Sequence, residues 1–472
     1  MSITLNTESV AGLGNKESEL LKELIDVYNY HESSNAYKNK YYEGKISLRE
    51  VNLGIALPDG MKGLEIGCAW GAKTVDVLAS RSMFDGFVDE NGGDAENITT
   101  IAADNMLISE YMKAARDELK FGCTFATVSK DKALKARIRF HSPQSASALW
   151  DGEKNRIKAG LAIIDQAEDE SRKDVWHPSV LHLHTDEAIW EIREIDKKWY
   201  AKKVPHKIGR PLMEPLIWNP TMDKPFGRSR LKEPIRRLIQ GYVRTIANAT
   251  IGLEFSTAPQ KYLLGVTDEQ YDAVINQKFK QYVGNLLVAS SNPETGQNPI
   301  FGQLLQGSIE PHISMLRALS TQFSAATGLT VTDTGVVNDA NPTSSDAILA
   351  QSQTLVRMAE QLNAANGDSL RIIAQMALAI ANDTTIDKLP EEQKKIVAHF
   401  KNPAMPSVAA TADAAIKIAS AREEFAQTDV FLEMIGFDQA DIRRIKTQEQ
   451  RARGMRVLEE LEEETGNEDI TE

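Results

Sequence analysis

Hydrophobic positions recur along this chain at two spacings, and the switches between them divide it into parts. Leu20, Leu21, Leu24, Ile25 and Tyr28 follow the spacing of an amphipathic helix that begins near Glu19. The residues before it are polar and read as a poorly ordered end. Val75, Leu78 and Met83 predict a second helix over 72–84, and 101–120 reads as a third. Between these, 85–100 is rich in Asp, Gly and Asn and reads as a loop. After Phe121 and Gly122 the period drops to two. Thr124–Val128, Ala136–His141, Arg156–Ile164 and Val180–Ile192 alternate, or run apolar with β-branched residues, as the strands of a meander do. Lys197–Trp218 continues as strand and turn into GRPLMEPLIWNP.

At Ser229 the helical spacing returns. Leu231, Ile235, Leu238, Ile239, Tyr242, Val243, Ile246 and Thr250 form one apolar stripe, and Pro234 is tolerable because it falls in the first turn. Residues 251–307 read as a small mixed insert with a strand (KYLLGV), a short helix from near Thr267 and the turn-rich SSNPETGQNP. Ser308 is placed to cap a second helix with apolar face Ile309, Ile313, Leu316, Leu319 and Phe323. Glu310 and Pro311 suit its first turn, and Gly328 ends it. Each helix has about 20 residues and so spans about 30 Å. Together they predict an antiparallel pair carrying the insert at its far end. The run TVTDTGVVNDANPTS that follows is long for a mere connection. Residues 344–382 read as mostly helical, and 384–472 as Pro-containing turns alternating with short helices. The final LEELEEETGNEDITE reads as a solvated tail. The fold class is α+β.

Composition narrows the function. Fifty-four basic and 67 acidic residues leave 472 residues with a formal charge of −13 and a pI near 5.3. That balance argues against capture of nucleic acid by charge. Two cysteines, Cys68 and Cys123, cannot make a disulfide framework or a cysteine-rich zinc site. No run of 18 apolar residues spans a membrane, and the N-terminus lacks the features of a signal peptide, so an intracellular soluble product is expected.

Candidate chemistry is sparse. Leu64-Glu65-Ile66-Gly67-Cys68-Ala69-Trp70-Gly71 is similar to the glycine loop of S-adenosylmethionine-dependent methyltransferases. Its central glycine, which lets backbone approach the cofactor, is Ala69 here, and Trp70 follows. The segment GCAWGAKT echoes a phosphate loop, but Ala72 intervenes between Gly71 and Lys73 and spoils the spacing. His182 and His184, with Asp186 and Glu187 nearby, invite a metal reading. Without HExxH-like spacing they read instead as polar residues on one exposed strand face. No G-x-S-x-G occurs. No catalytic residue, cofactor or metal is assigned.

Several stretches together resemble the portal proteins of long-tailed (siphovirus-type) bacteriophages. They are Tyr41–Pro58, Ala72–Phe87, GRPLMEPLIWNP, Gly227–Gly265, Ile300–Leu329 and Ser344–Gln361, with ATADAAIKIASA and FLEMIGFDQADIRRI near the end. The resemblance covers roughly residues 26–455. Its specificity lies in the number and order of these stretches, none of which is catalytic. GLEIGC, where the family often has polar residues, and the early Pro234 depart from the pattern.

The resemblance implies a non-enzymatic ring of about twelve subunits at one capsid vertex, through which double-stranded DNA is packaged and ejected. It implies a wing at 1–227, stem helices at 228–250 and 308–328, and a clip at 251–307 between them. A tunnel loop at 329–343 follows, then a long helix of wing and crown at 344–384, and wing edge and crown at 385–472. The tunnel loop would line the DNA path with Thr332, Asp333, Thr334, Val336, Val337, Asn338 and Asp339. Arg236, Arg237 and Arg244 would stand on the first stem helix, and His312, Arg317 and Gln322 on the second. Implied partners are the terminase large subunit, the major capsid protein, scaffold and a head–tail adaptor. The implied location is the virion, after synthesis in the host cytoplasm. A ring of about twelve chains at −13 each carries roughly −156, which would repel DNA rather than hold it. The second stem helix is nearly neutral, with Glu310 and Arg317 its only formal charges. The basic cluster Arg228, Arg230, Lys232, Arg236, Arg237 and Arg244 reads either as contacts to DNA or acidic neighbours, or as ordinary salt bridges. Two alternatives stand beside the portal. One is a methyltransferase using Gly67–Gly71; the other is a different phage head protein of mixed α/β type that forms no channel.

Overall fold

The computed structural model of the chain describes residues 2–46, 66–89, 95–133, 135–168, 176–257, 261–265, 296, 298, 300–303, 308–335, 345–404, 408–437 and 439–468. Helix α1 (Asn15–Tyr42) buries Leu21, Leu24, Ile25 and Tyr28 on one face, as their spacing dictates. That face lies on an antiparallel meander of five strands in sequence order. The strands are β4 (Ala146–Asp151), β5 (Arg156–Glu168), β6 (Trp176–His184), β7 (Ala188–Ile195) and β8 (Lys198–Pro205). Ala159, Leu161 and Ile163 of β5 point toward α1, while Ala162 joins a cluster on the opposite face.

That second face packs on a three-stranded sheet, β3–β2–β9, made of β2 (Cys123–Asp131), β3 (Lys135–His141) and β9 (Met213–Ile217). The approach is close enough that a Cβ at Gly160 would fall 2.2 Å from the Met213 sulfur.

Four details differ from the sequence reading. Residues 2–14 are packed: Ile3 and Val10 are buried under the meander, and the Asn29 side-chain amide bonds both backbone polar groups of Ile3. Val180–Ile192 is two strands, because Thr185 turns the chain by bonding Ala188. The 101–120 region is α3 (Glu96–Asp104) and α4 (Leu107–Phe121), separated by Met106 at φ 50°. The preceding Asn105 side chain is buried and bonds the backbone of Ala136 and Ile138, which pins the break to β3. Lastly, the expected loop at 85–100 opens with β1 (Phe84–Val88), which pairs with the distant β12 (Val397–Phe400).

Two long helices follow β9: α5 (Glu233–Thr257) and α6 (Glu310–Thr327). Between them a two-stranded ribbon of β10 (Lys261–Leu264) and β11 (Ile300–Gln303) is described. The expected helix near Thr267 and most of SSNPETGQNP lie outside the described residues. Helix α7 (Ser345–Ala381) runs back beneath β2, β3 and α4, burying Leu370, Ile373, Met376 and Ala377. The remaining helices are α8 (Glu391–Lys394), α9 (Val408–Ala421), α10 (Asp429–Ile435) and α11 (Gln439–Glu468). The last is long, not short as expected, and Ile442 is its buried anchor among the described residues. Among the described residues no helix is long and apolar enough to cross a membrane.

Candidate functional site

Helices α5 and α6 run antiparallel. Arg230, just before α5, bonds Thr327 at the end of α6, and further along α5 Gly241 meets Leu319. Both helices carry proline in the first turn, where a missing N–H costs nothing (Pro234 and Pro311). The cap of α6 differs slightly from expectation. Its N-cap is Ile309, and the Ser308 hydroxyl accepts the Glu310 N–H at 3.2 Å instead of capping. Gly328 ends the helix at φ 73°, as its lack of a Cβ allows.

The apolar stripe of α5 enters one core with Trp70, Val75 and Leu78 of helix α2 (Trp70–Ala79) and with α6 and α7. On α6 the buried side is Leu319, Ser320, Phe323 and Thr327. Leu316 is half-buried and Ile313 exposed, so the expected apolar face is buried only over the second half of the helix. Arg317 and Gln322 are exposed and His312 is half-buried.

The basic residues of α5 sort by environment. Arg237 pairs with Glu233 one turn back at 2.6 Å, both exposed. Arg236 donates to the Leu231 carbonyl at 2.7 Å and lies over the Tyr37 ring, and Arg244 is exposed. Arg230 is different: it is only 5% exposed. Its guanidinium donates to the carbonyls of Thr74 and Thr327, each at 2.5 Å, and burial pulls its pKa down to about 10. It is therefore neither a surface cation nor half of a salt bridge.

The loop after α6 starts with a tight turn, Thr332–Thr334, closed by Gly335 at φ 87°. The Asp333 carboxylate accepts from both the backbone and the hydroxyl of Thr330. Thr334 is buried and its hydroxyl bonds the Val331 carbonyl, while Thr332 is exposed. Val336, Val337, Asn338 and Asp339 lie outside the described residues. Two side chains of α2 reach this turn. Trp70 donates its Nε1–H to the Thr334 carbonyl at 3.2 Å, and the Lys73 ammonium donates to the Asp333 carbonyl.

These contacts explain the glycine-loop motif. Trp70 is buried between Phe323, stacked at 4.4 Å between centroids, and Tyr242 at 4.2 Å. A Cβ at Gly71 would fall 1.9 Å from the Tyr41 carbonyl oxygen, so this glycine lets α2 start against the end of α1. Burial pushes the Cys68 thiol up to about 11. The named sheets are antiparallel rather than the parallel sheet a methyltransferase loop requires.

His184 corrects another expectation. It is buried, not on an exposed face, and neither ring nitrogen has a hydrogen-bond partner. His182 is half-buried beside it, with ring centroids 6.2 Å apart. Asp186 and Glu187 face Arg156 and Lys203. Among the described residues no group of three or more His, Cys, Asp or Glu is placed to hold a metal ion.

Against known proteins, residues 21–455 match the family described as phage portal protein, SPP1 Gp6-like. The chain belongs to this family. Among similar portal proteins, that of Mycobacterium phage L5 is 23% identical over 411 residues, covering 84% of this chain and 81% of that protein. The portal protein of Mycobacterium phage D29 is 21% identical over 407 residues with the same coverage. Among solved structures, a chain in the virion of a native gene transfer agent particle aligns with a TM-score of 0.44 at 11% identity. That alignment covers 78% of this chain and 89% of the other. A chain from the neck of that particle, computed with C12 symmetry, gives a TM-score of 0.44 at 10% identity and the same coverage. Nothing in these likenesses supports a methyltransferase. Sequence reasoning missed the anchoring parts of Trp70, Lys73 and Arg230. Their signal was contrary to type, a tryptophan in a glycine loop and an arginine at the start of an apolar stripe.

Proposed function

We propose that this chain is the repeating subunit of a homo-oligomeric ring of about twelve copies that passes double-stranded DNA at one capsid vertex, in a structural rather than catalytic role. The observation that carries this reading is the antiparallel pair α5–α6, bridged by the β10–β11 ribbon and followed by a loop and the long α7, in a chain of the portal family. In it, residues 1–227 form the wing, 228–250 and 308–328 the two stem helices, 251–307 the clip and 329–343 the tunnel loop. Residues 344–472 complete the wing and crown.

The exposed side of α6 supports the conduit reading. Ser314, Thr321, Gln322, Ala325 and Ala326 are exposed beside the single cation Arg317. A surface with so few fixed charges offers few lasting phosphate contacts. Terminase, capsid protein, scaffold and a head–tail adaptor would dock on the outer parts, and the assembled ring would sit in the virion.

The mass of the purified protein, measured by native mass spectrometry with images of the same peak, tests this reading. A particle near twelve copies of 52.3 kDa with a central hole is expected. A protein that stays monomeric even when co-produced with scaffold and capsid protein would refute it.

A further inference from the structure

Helix α2 touches the turn that opens the loop after α6 at two points, and a third contact ties the same helix to the end of α6. Trp70 Nε1–H donates to the Thr334 carbonyl at 3.2 Å, and its ring is held between Phe323 and Tyr242. One turn further along α2, Lys73 donates to the Asp333 carbonyl. Thr74 offers its own carbonyl to Arg230, whose other arm takes Thr327.

The turn carries its own internal bonds, and the contacts to α2 add to them. The backbone N–H groups of Asp333, Thr334 and Gly335 bond the carbonyls of Thr330, Val331 and Thr332, and Asp333 and Thr330 bond each other's side chains. What those bonds cannot do is fix the turn against the rest of the subunit. The Asp333 and Thr334 carbonyls, which those internal bonds do not use, do that by accepting from α2.

We propose that Trp70 and Lys73 are positioning residues that lock the opening turn of the loop (332–335) to α2, so that the place where the loop leaves the stem is set from α2. Gly335 ends the turn at a φ of 87°, a conformation strained for any side chain. Read with the tunnel-loop assignment, on which this second step rests, the lock sets the point from which the loop is presented to DNA.

The test is hydrogen exchange on the assembled protein for Lys73→Met, which keeps the aliphatic stem without the donor, and for Trp70→Phe, which keeps a ring between Phe323 and Tyr242 without the N–H. The amides of Asp333, Thr334 and Gly335 should exchange about tenfold faster, the scale of one lost hydrogen bond. The unfolding midpoint of Lys73→Met should stay put, and Lys73→Arg, which restores a donor, should recover the protection. Unchanged exchange in both variants would overturn the lock. DNA packaging by particles carrying Lys73→Met separates the two steps. Reduced packaging with intact rings supports the tunnel-loop reading, whereas faster exchange with unchanged packaging keeps the lock and removes that reading.

Discussion

Arg230, in the segment leading into α5, donates to the carbonyl of Thr327, the last residue of α6, at 2.5 Å. With the Thr74 carbonyl on its other nitrogens, one buried cation joins three elements that the chain reaches far apart. Replacing it by methionine fills the volume but removes the donor shared by two buried carbonyls. Arg230→Met should therefore cost about 2–4 kcal/mol, while Arg237→Met, an exposed pair, should change stability by less than about 1 kcal/mol. Urea titrations of both variants check the contrast, and equal losses would show that burial of Arg230 is not what matters.

Glu118 on α4 is fully buried, and desolvation raises its pKa to about 8. The Asn366 amide donates to its Oε2 at 2.8 Å and also to the Tyr111 hydroxyl, so α4 and α7 meet through this network. The folded state holds this proton up to about pH 8, while the unfolded chain releases it near 4.5. Stability from this group is thus full below about 4.5 and falls as pH rises toward 8, by about 1.4 kcal/mol per pH unit. Glu118→Gln keeps the shape without the proton, and its stability should hold between pH 5 and 8 where the parent's declines. Parallel curves for the two proteins would contradict the assignment.

The histidines between the two sheets act on the other limb. His141 and His182 are depressed to about 4, and His184 is held well below the ordinary imidazole range, all mainly by burial. The unfolded chain takes up these protons below about 6.5 while the folded one resists, so stability falls as pH drops from 6.5 toward 4. His184→Leu removes one such group, whose two nitrogens have no partners to lose. It should flatten the acid limb by about 1.4 kcal/mol per pH unit between 6.5 and 4, measured as unfolding midpoints at pH 7 and 5. A variant as acid-sensitive as the parent would mean that His184 is solvated.

Periodicity made much of this fold legible. The stripe Leu231 to Thr250 predicted α5, and the proline and glycine signals around α6 placed its ends to within a residue or two. What spacing could not show was partnership. Nothing in the sequence says that β1 pairs with β12, that Asn105 breaks a helix by bonding β3, or that residues 2–14 cover a sheet. Those outcomes depend on which surface arrives from far along the chain, and a local pattern carries no such information. The same limit hid the site's anchors. Arg230 counts as one more cation in a basic cluster until tertiary packing closes over it, and Trp70 looks like a spoiled glycine loop until Phe323 and Tyr242 flank it.

The two halves of α6 should respond differently to substitution. Phe323 is fully buried against Trp70, so Phe323→Ala should destabilise the subunit by about 3–5 kcal/mol through lost transfer energy and the cavity left behind. About two to three turns earlier the environment changes: Leu316 is half-buried and Ile313 and Met315 exposed, at 38% and 49%. Leu316→Asp has little to disturb in a single subunit. In a ring whose stem helices pack side by side, it would bury a carboxylate without a partner and cost several kcal/mol per interface. The expected outcome is a variant whose subunit melts within a few degrees of the parent but whose ring dissociates at lower urea, followed by light scattering. A Leu316→Asp ring as robust as the parent would place this face of α6 on the water side, away from any neighbouring stem.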